Sequence, residues 1–207
     1  MKRVLISACI SLGLVCGAYA QKFEHLTPYE ESVIGATINA TGTYDALRNV
    51  HRYWVQESMR LKNPNYDFSL CGNNDAVLKV TIPSRVIFQQ GDTLFSAQAE
   101  GLLHPFLRYL REDNAVATVV VVCYSDNNGS DRYLTSMTQS RADAIGRWLQ
   151  KKGVNTGDIT IVGMGNNVPR TDNSNIAMRE ANRRVSLYLV PNKRMLKQAR
   201  KGTLPSN

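Results

Sequence analysis

The spacing of apolar residues changes character along this chain, and each change predicts a different kind of element. An apolar run from Val4 to Val15 follows Lys2 and Arg3. Residues 28–61 then set Ala46, Leu47, Val50, Tyr53, Trp54 and Leu61 at helical intervals, and the interruption ATGT, Ala40 to Thr43, divides the stretch into two short helices. KNPNYDFSLCGNND, Lys62 to Asp75, is rich in turn formers and reads as a boundary. Beyond it, short β-branched runs alternate with helical periods. AVLKVTIPSRVIF, Ala76 to Phe88, predicts a strand that Pro83 confines to an edge or a bulge. Leu102, Leu103, Phe106 and Leu110 predict a helix after a Ser96 cap, bent at Pro105, where one backbone hydrogen bond is deleted. ATVVVVCY, Ala117 to Tyr124, is apolar without alternation, as a strand covered on both faces is. A helix from about Tyr133 to Lys151 follows, then the strands ITIVGMG and RVSLYLV, the last alternating Val185, Leu187 and Leu189 against Ser186 and Tyr188. This order predicts an α/β fold: helices packed on a mixed sheet, preceded by a small helical N-terminal region.

Composition adds a compartment. The first apolar run is too short to span a bilayer as a helix, and AYA, Ala18 to Ala20, places small residues where a signal peptidase reads them. Residues 1–20 are therefore predicted to be a cleaved leader and Gln21 the mature N-terminus. A retained anchor is one alternative. Cleavage before a lipidated Cys16 is another, although GLV, Gly13 to Val15, lacks the small residue such sites carry next to the cysteine. Cleavage leaves Cys71 and Cys123, which in an oxidising compartment either close one disulfide or remain two buried thiols. The formal charge falls from +8 to about +6 without Lys2 and Arg3, which favours anionic envelope polymers or surfaces. No nucleic-acid motif is present, and nucleic acid is not expected as a partner. His25, His51 and His104 are scattered, no cysteine–histidine metal spacing appears, and GMGNN is too short for a phosphate-binding glycine loop. Hence no metal, cofactor or enzymatic activity is expected. The tail from Asn192 to Lys201 carries Lys193, Arg194, Lys197, Arg200 and Lys201 with no acid. It reads either as a solvated, frayed end or as a short basic helix meeting anionic wall or lipid.

One residue breaks the apolar pattern. Leu134, Met137, Arg141, Ile145 and Trp148 share a helix face, which puts a guanidinium in the middle of a buried stripe. It either snorkels to water along its stem or is held by an acid, because a charge near a core is costly unless paired. Asp126, directly after the apolar strand, is the candidate acid. Together the two charges would match a zwitterion, the acid taking an ammonium and the arginine a carboxylate.

These residues carry a family resemblance. CYSD, then NNGSDRY, Leu134 and MTQSRA resemble the OmpA-like peptidoglycan-binding domain, in which a strand ending Gly-His-Thr-Asp leads through a Gly-containing loop and an Asn to Leu-Ser-x-x-Arg-Ala on a helix. GMGNNVP resembles that family's Gly-Tyr-Gly-Glu-x-x-Pro turn. DNSNIAMREANRRV resembles its Asn-rich loop and Asn-Arg-Arg-Val strand start, and VIFQQGDTLFSAQAEGLL its opening strand and first helix. The resemblance spans residues 76–190 and implies a βαβαβ-β sandwich, with 21–75 a helical N-terminal region and linker and 191–207 a basic tail. It also implies that Asp126 and Arg141 hold the zwitterionic end of diaminopimelate in the peptidoglycan stem peptide, with Ser125 and Arg183 lining the same pocket. The chain would then be a non-enzymatic anchor in the Gram-negative periplasm, held at the outer membrane or the wall, with its N-terminal helices free to meet envelope proteins. Four positions depart from the pattern: Leu134 replaces the pocket Asn, Cys123 and Tyr124 replace Gly-His, and Gln89 replaces a frequent acid. Leu134 favours the alternative of an envelope scaffold that keeps the fold but binds protein.

Overall fold

The computed structural model describes residues 22–23 and 26–204, so the leader, Cys16 and Gln21 lie outside the described residues. The chain opens with a two-residue strand β1 (Lys22–Phe23), then helices α1 (Pro28–Ile34) and α2 (Tyr44–Arg60). Strands β2 (Asp67–Cys71) and β3 (Val77–Pro83) follow, then short helices α3 (Ser84–Ile87), α4 (Ala99–Leu103) and α5 (Leu107–Leu110). The second half comprises β4 (Ala117–Tyr124), α6 (Asp131–Lys151), β5 (Ile159–Gly165), α7 (Ile176–Asn182), β6 (Arg184–Pro191) and α8 (Lys193–Lys201). No helix among the described residues is long and apolar enough to cross a membrane.

The strands form one mixed sheet in the order β1-β2-β3-β6-β4-β5. β4 is antiparallel to β6 and parallel to β5, with α6 as the crossover that a parallel pair requires. The unalternating apolarity of β4 is explained by this central place: Val119 to Tyr124 are all buried. Packing α6 onto β5 needs a bare backbone at Gly163, where a Cβ would lie 2.2 Å from the Gln139 nitrogen. The Gly163 N–H donates to Gln139 Oε1 at 2.8 Å and the Gly165 N–H to Thr138 Oγ1 at 2.9 Å, fixing the helix over the strand end.

Several sequence expectations are corrected. Pro83 ends β3 instead of marking an edge, since β3 lies between β2 and β6; there its missing N–H costs the ladder nothing. Ser84 to Ile87, read as strand, is a helical turn. The helix predicted after Ser96 is split, with Pro105 in a 3-10 turn (His104–Phe106) between α4 and α5, the bend proline was expected to impose. The turn-rich stretch 62–75 contains β2. The loop before the last strand contains α7. Cys71 and Cys123 are two buried thiols that form no disulfide, so the disulfide alternative fails.

The basic tail is a docked helix. Met195 and Ala199 on α8 are fully buried, Asn49 on α2 donates to the Ala199 carbonyl at 3.0 Å, and Asn192 caps the first turn by accepting from the Met195 N–H at 3.0 Å. The frayed alternative is thereby overturned. The N-terminal helices are equally integrated. Thr27 and Glu30 form a capping box on α1, and α2 buries Ala46, Leu47, Val50, Tyr53 and Trp54 as their spacing predicts. Each helix also buries a glutamate against a core tyrosine: Tyr124 Oη donates to Glu30 Oε1 at 2.6 Å, and Tyr109 Oη donates to Glu57 Oε2.

Candidate ligand cleft

β4 runs out at Tyr124, and the chain beyond it turns under the first turns of α6. Ser125 is pinned there by its N–H donating to the Gly165 carbonyl at 2.7 Å, which ties the end of β4 to the end of β5. Asp126 follows, its side chain 6 % exposed. These two residues form the floor of a cleft of about 630 Å³. One wall is α6, with Tyr133, Leu134, Met137 and Arg141; the other is α3 and the end of α7, with Ser84, Arg85, Phe88, Glu180 and Arg183. Ser125, Asp126, Arg141 and Arg183 thus line one cavity, although 57 residues separate Asp126 from Arg183.

The expected pairing of Arg141 with Asp126 does not form. Arg141 is only 7 % exposed, so it does not snorkel either. Its Nε donates to the Asp92 carbonyl at 2.9 Å, and its guanidinium carbon lies 5.2 Å from the centre of the Phe88 ring. A backbone carbonyl and an aromatic face hold the guanidinium, with attraction from the Asp92 carboxylate but no direct ion pair among the described residues. Burial, the largest influence, pushes the Arg141 pKa down, and the nearby Arg183 adds to this; a guanidinium remains charged all the same. Among the described residues Nη1 and Nη2 have no hydrogen-bond partner, and Arg141 lines the cleft.

Asp126 pairs with Arg183 instead, through Oδ2 and Nη1. Its Oδ1 accepts from the Asn128 N–H at 3.2 Å. Arg183 is shared with Glu180, one turn earlier on α7, whose Oε1 lies 3.2 Å from Arg85 Nε. The opposite wall is therefore a chain of alternating charge: Arg85, Glu180, Arg183, Asp126. Burial disfavours the charge on Arg183, but hydrogen bonds and attraction from Glu180 and then Asp126 outweigh it, so its pKa is raised. Three guanidiniums line the cleft with two carboxylates, and the one that makes no ion pair among the described residues is Arg141.

Glu180, Arg85 and Phe88 were missed as cleft residues. Glu180 had a signal, the three-residue spacing to Arg183 that joins side chains on a helix. Arg85 and Phe88 had none, because they meet Glu180 and Arg141 only in the fold. The departures are now placed. Leu134 is 2 % exposed and presents an apolar wall where an amide was expected. Tyr124 turns away from the cleft toward Glu30, with the Arg184 guanidinium 3.7 Å from its ring centre. Gln89 lines the rim and donates to the Phe95 carbonyl at 3.3 Å.

Comparison with known proteins agrees with this architecture. Outer membrane protein A of Shimwellia blattae is 31 % identical over 104 residues, which are 49 % of this chain and 43 % of that one. The chain spans less than half the length of the curated relatives it matches. Among solved structures, a MotB-like protein from Desulfovibrio vulgaris superposes with a TM-score of 0.60 at 17 % identity, over 70 % of this chain and 96 % of that one. The cell wall anchor of the T6SS from Pseudomonas aeruginosa gives 0.54 at 20 % identity, over 69 % and 97 %; at such identities the likeness is one of fold. The model of the OmpA family matches residues 87–183, a span running from the end of α3 to Arg183. Residues 87–183 are therefore matched as an OmpA-family domain, and every residue lining the cleft except Ser84 and Arg85 falls within them.

Proposed function

We propose that the cleft binds peptidoglycan non-covalently, through the diaminopimelate of the stem peptide, and that the protein fastens a periplasmic or outer-membrane assembly to the cell wall. The observation that carries this reading is the state of Arg141: buried, held at Nε by a backbone carbonyl, lining the cleft, and with no hydrogen-bond partner for its terminal nitrogens among the described residues. A guanidinium fixed in this way is preorganised for a carboxylate. Asp126, with lone pairs left beyond its bonds to Arg183 and Asn128, takes the ammonium of the same head group. Ser125 and Arg183 complete the lining. Similarity to a protein described as a cell wall anchor supports the reading. The protein acts here as a binding module, with no chemical step.

Sedimentation of the full chain with purified sacculi, alongside titration with free meso-diaminopimelate, tests this. Wild type should bind both. Arg141→Lys should lose at least about tenfold in affinity, because a point charge on a flexible stem cannot reproduce the fork, while its melting curve stays near wild type. Folded Arg141→Lys and Asp126→Asn proteins that bind as wild type does would refute the site. The buried Leu134 wall favours a second reading, in which the cleft takes a protein segment. Leu134→Asn separates the two: it strengthens sacculus binding under the first reading and leaves it absent under the second.

A further inference from the structure

A second recess, of about 770 Å³, opens at the far end of the sheet from the wall cleft. It lies between loop 39–43, the start of β4 at Thr118, the end of β6 and the outward side of α8. Its cations are Lys193, Lys197 and Arg200, spaced by four and three residues and so aligned as one stripe. All three are exposed, and none has an ion-pair or hydrogen-bond partner among the described residues. The acid lining the recess is Asp158, and α8 itself contains none. Like charges at these helical spacings repel. The stripe is nonetheless fixed in place, because Met195 and Ala199 on the opposite side of α8 are fully buried. Three threonines, Thr41, Thr43 and Thr118, also line the cavity.

We infer that this recess binds a phosphate-bearing anion. Three cations against one acid leave a net charge of about +2, which matches a phosphate monoester or a pair of diesters. Two of the three cations are lysines, which serve as point charges for a tetrahedral oxyanion, whereas a planar carboxylate is better met by paired guanidinium forks. Threonines around the recess bring side chains able to donate to an anion that accepts from several directions. Eight residues of β4 place the two cavities about 25 Å apart, so both can be filled at once. The inference does not depend on what the wall cleft binds. The phosphate could belong to lipid headgroups or to a soluble phosphorylated compound, and the test distinguishes them.

The full chain is titrated calorimetrically with inorganic pyrophosphate at low salt, and separately sedimented with phosphatidylcholine vesicles with and without phosphatidylglycerol. Lys197→Glu/Arg200→Glu is compared with Arg147→Glu/Lys151→Glu, an equal reversal on exposed positions of α6 that do not line the recess. All four changes fall on exposed helical positions, and Lys197→Gln/Arg200→Gln provides a milder pair should the reversal disturb α8. The expected result is binding by wild type and the α6 variant, and a loss of about tenfold or more in both α8 variants. Pyrophosphate binding alone would assign a soluble phosphate; binding only to the anionic vesicles would assign lipid headgroups. Equal loss in the α6 and α8 variants would reduce the effect to net charge and overturn the site, as would absence of binding to either probe.

Discussion

Asp126 changes its meaning once its neighbours are known. Had it been the sole partner of a buried guanidinium, its removal would cost about 3–5 kcal/mol. Arg183, however, is one-third exposed and keeps Glu180 when Asp126 is gone. Asp126→Ala should therefore lower stability by only about 1–2 kcal/mol in denaturant titration, so that any loss of sacculus binding can be read separately from unfolding. Cys123 makes a second forecast at this scale. Burial pushes its thiol up to about 12, and Cys71 is buried too. Neither should react with a thiol reagent in the native state, and both should react on denaturation. The sequence made the four cleft residues legible through the Asp–Arg match and the family resemblance, yet it misassigned their bonds. Arg141 is held by a main-chain carbonyl, which leaves no mark in side-chain identity, and Arg183 reaches Asp126 only because β6 begins beside the end of β4.

At the scale of elements, α8 and Gly163 bear the clearest consequences. Met195 is completely enclosed, so Met195→Ala should cost about 2–5 kcal/mol, readable as a fall in denaturation midpoint. Deleting the whole tail is for that reason a poor test of its charges, since it also strips cover from α2. Gly163→Ala forces a methyl onto the Gln139 backbone and should destabilise by about 1–3 kcal/mol or more, because neither helix nor strand can yield independently. Elements with a long, clean period were legible: α2, β4, α6 and β6 stand where their apolar spacing puts them. β2 was not, because its five residues sit among Asn, Gly and Asp that outweigh them in any window. Nor was the docking of α8, whose charges dominate its composition while two small contacts decide its position.

At the scale of the molecule, the N-terminal helices and the OmpA-family domain share one core, and buried tyrosines tie them together. Burial pushes Tyr53 and Tyr66 up to about 12 and raises Tyr109, Tyr124 and Tyr188 as well. A tyrosine harder to ionise when folded than when unfolded gives stability that is full below pH 10 and lost as pH climbs through the folded value. Unfolding should therefore set in between about pH 10 and 12, with tyrosinate absorbance rising in step with loss of circular dichroism; ionisation completed before unfolding would contradict this. The Glu30–Tyr124 bond has a mechanical consequence too. Tyr124 is two residues from Asp126, so traction on α1 reaches the floor of the cleft through one hydrogen bond and a short piece of chain, bypassing β2 and β3. Under load, this contact decides whether the helices peel from the sheet before a wall ligand lets go. Tyr124→Phe should leave equilibrium affinity for sacculi close to wild type while lowering the force at which a tethered molecule yields in a pulling experiment.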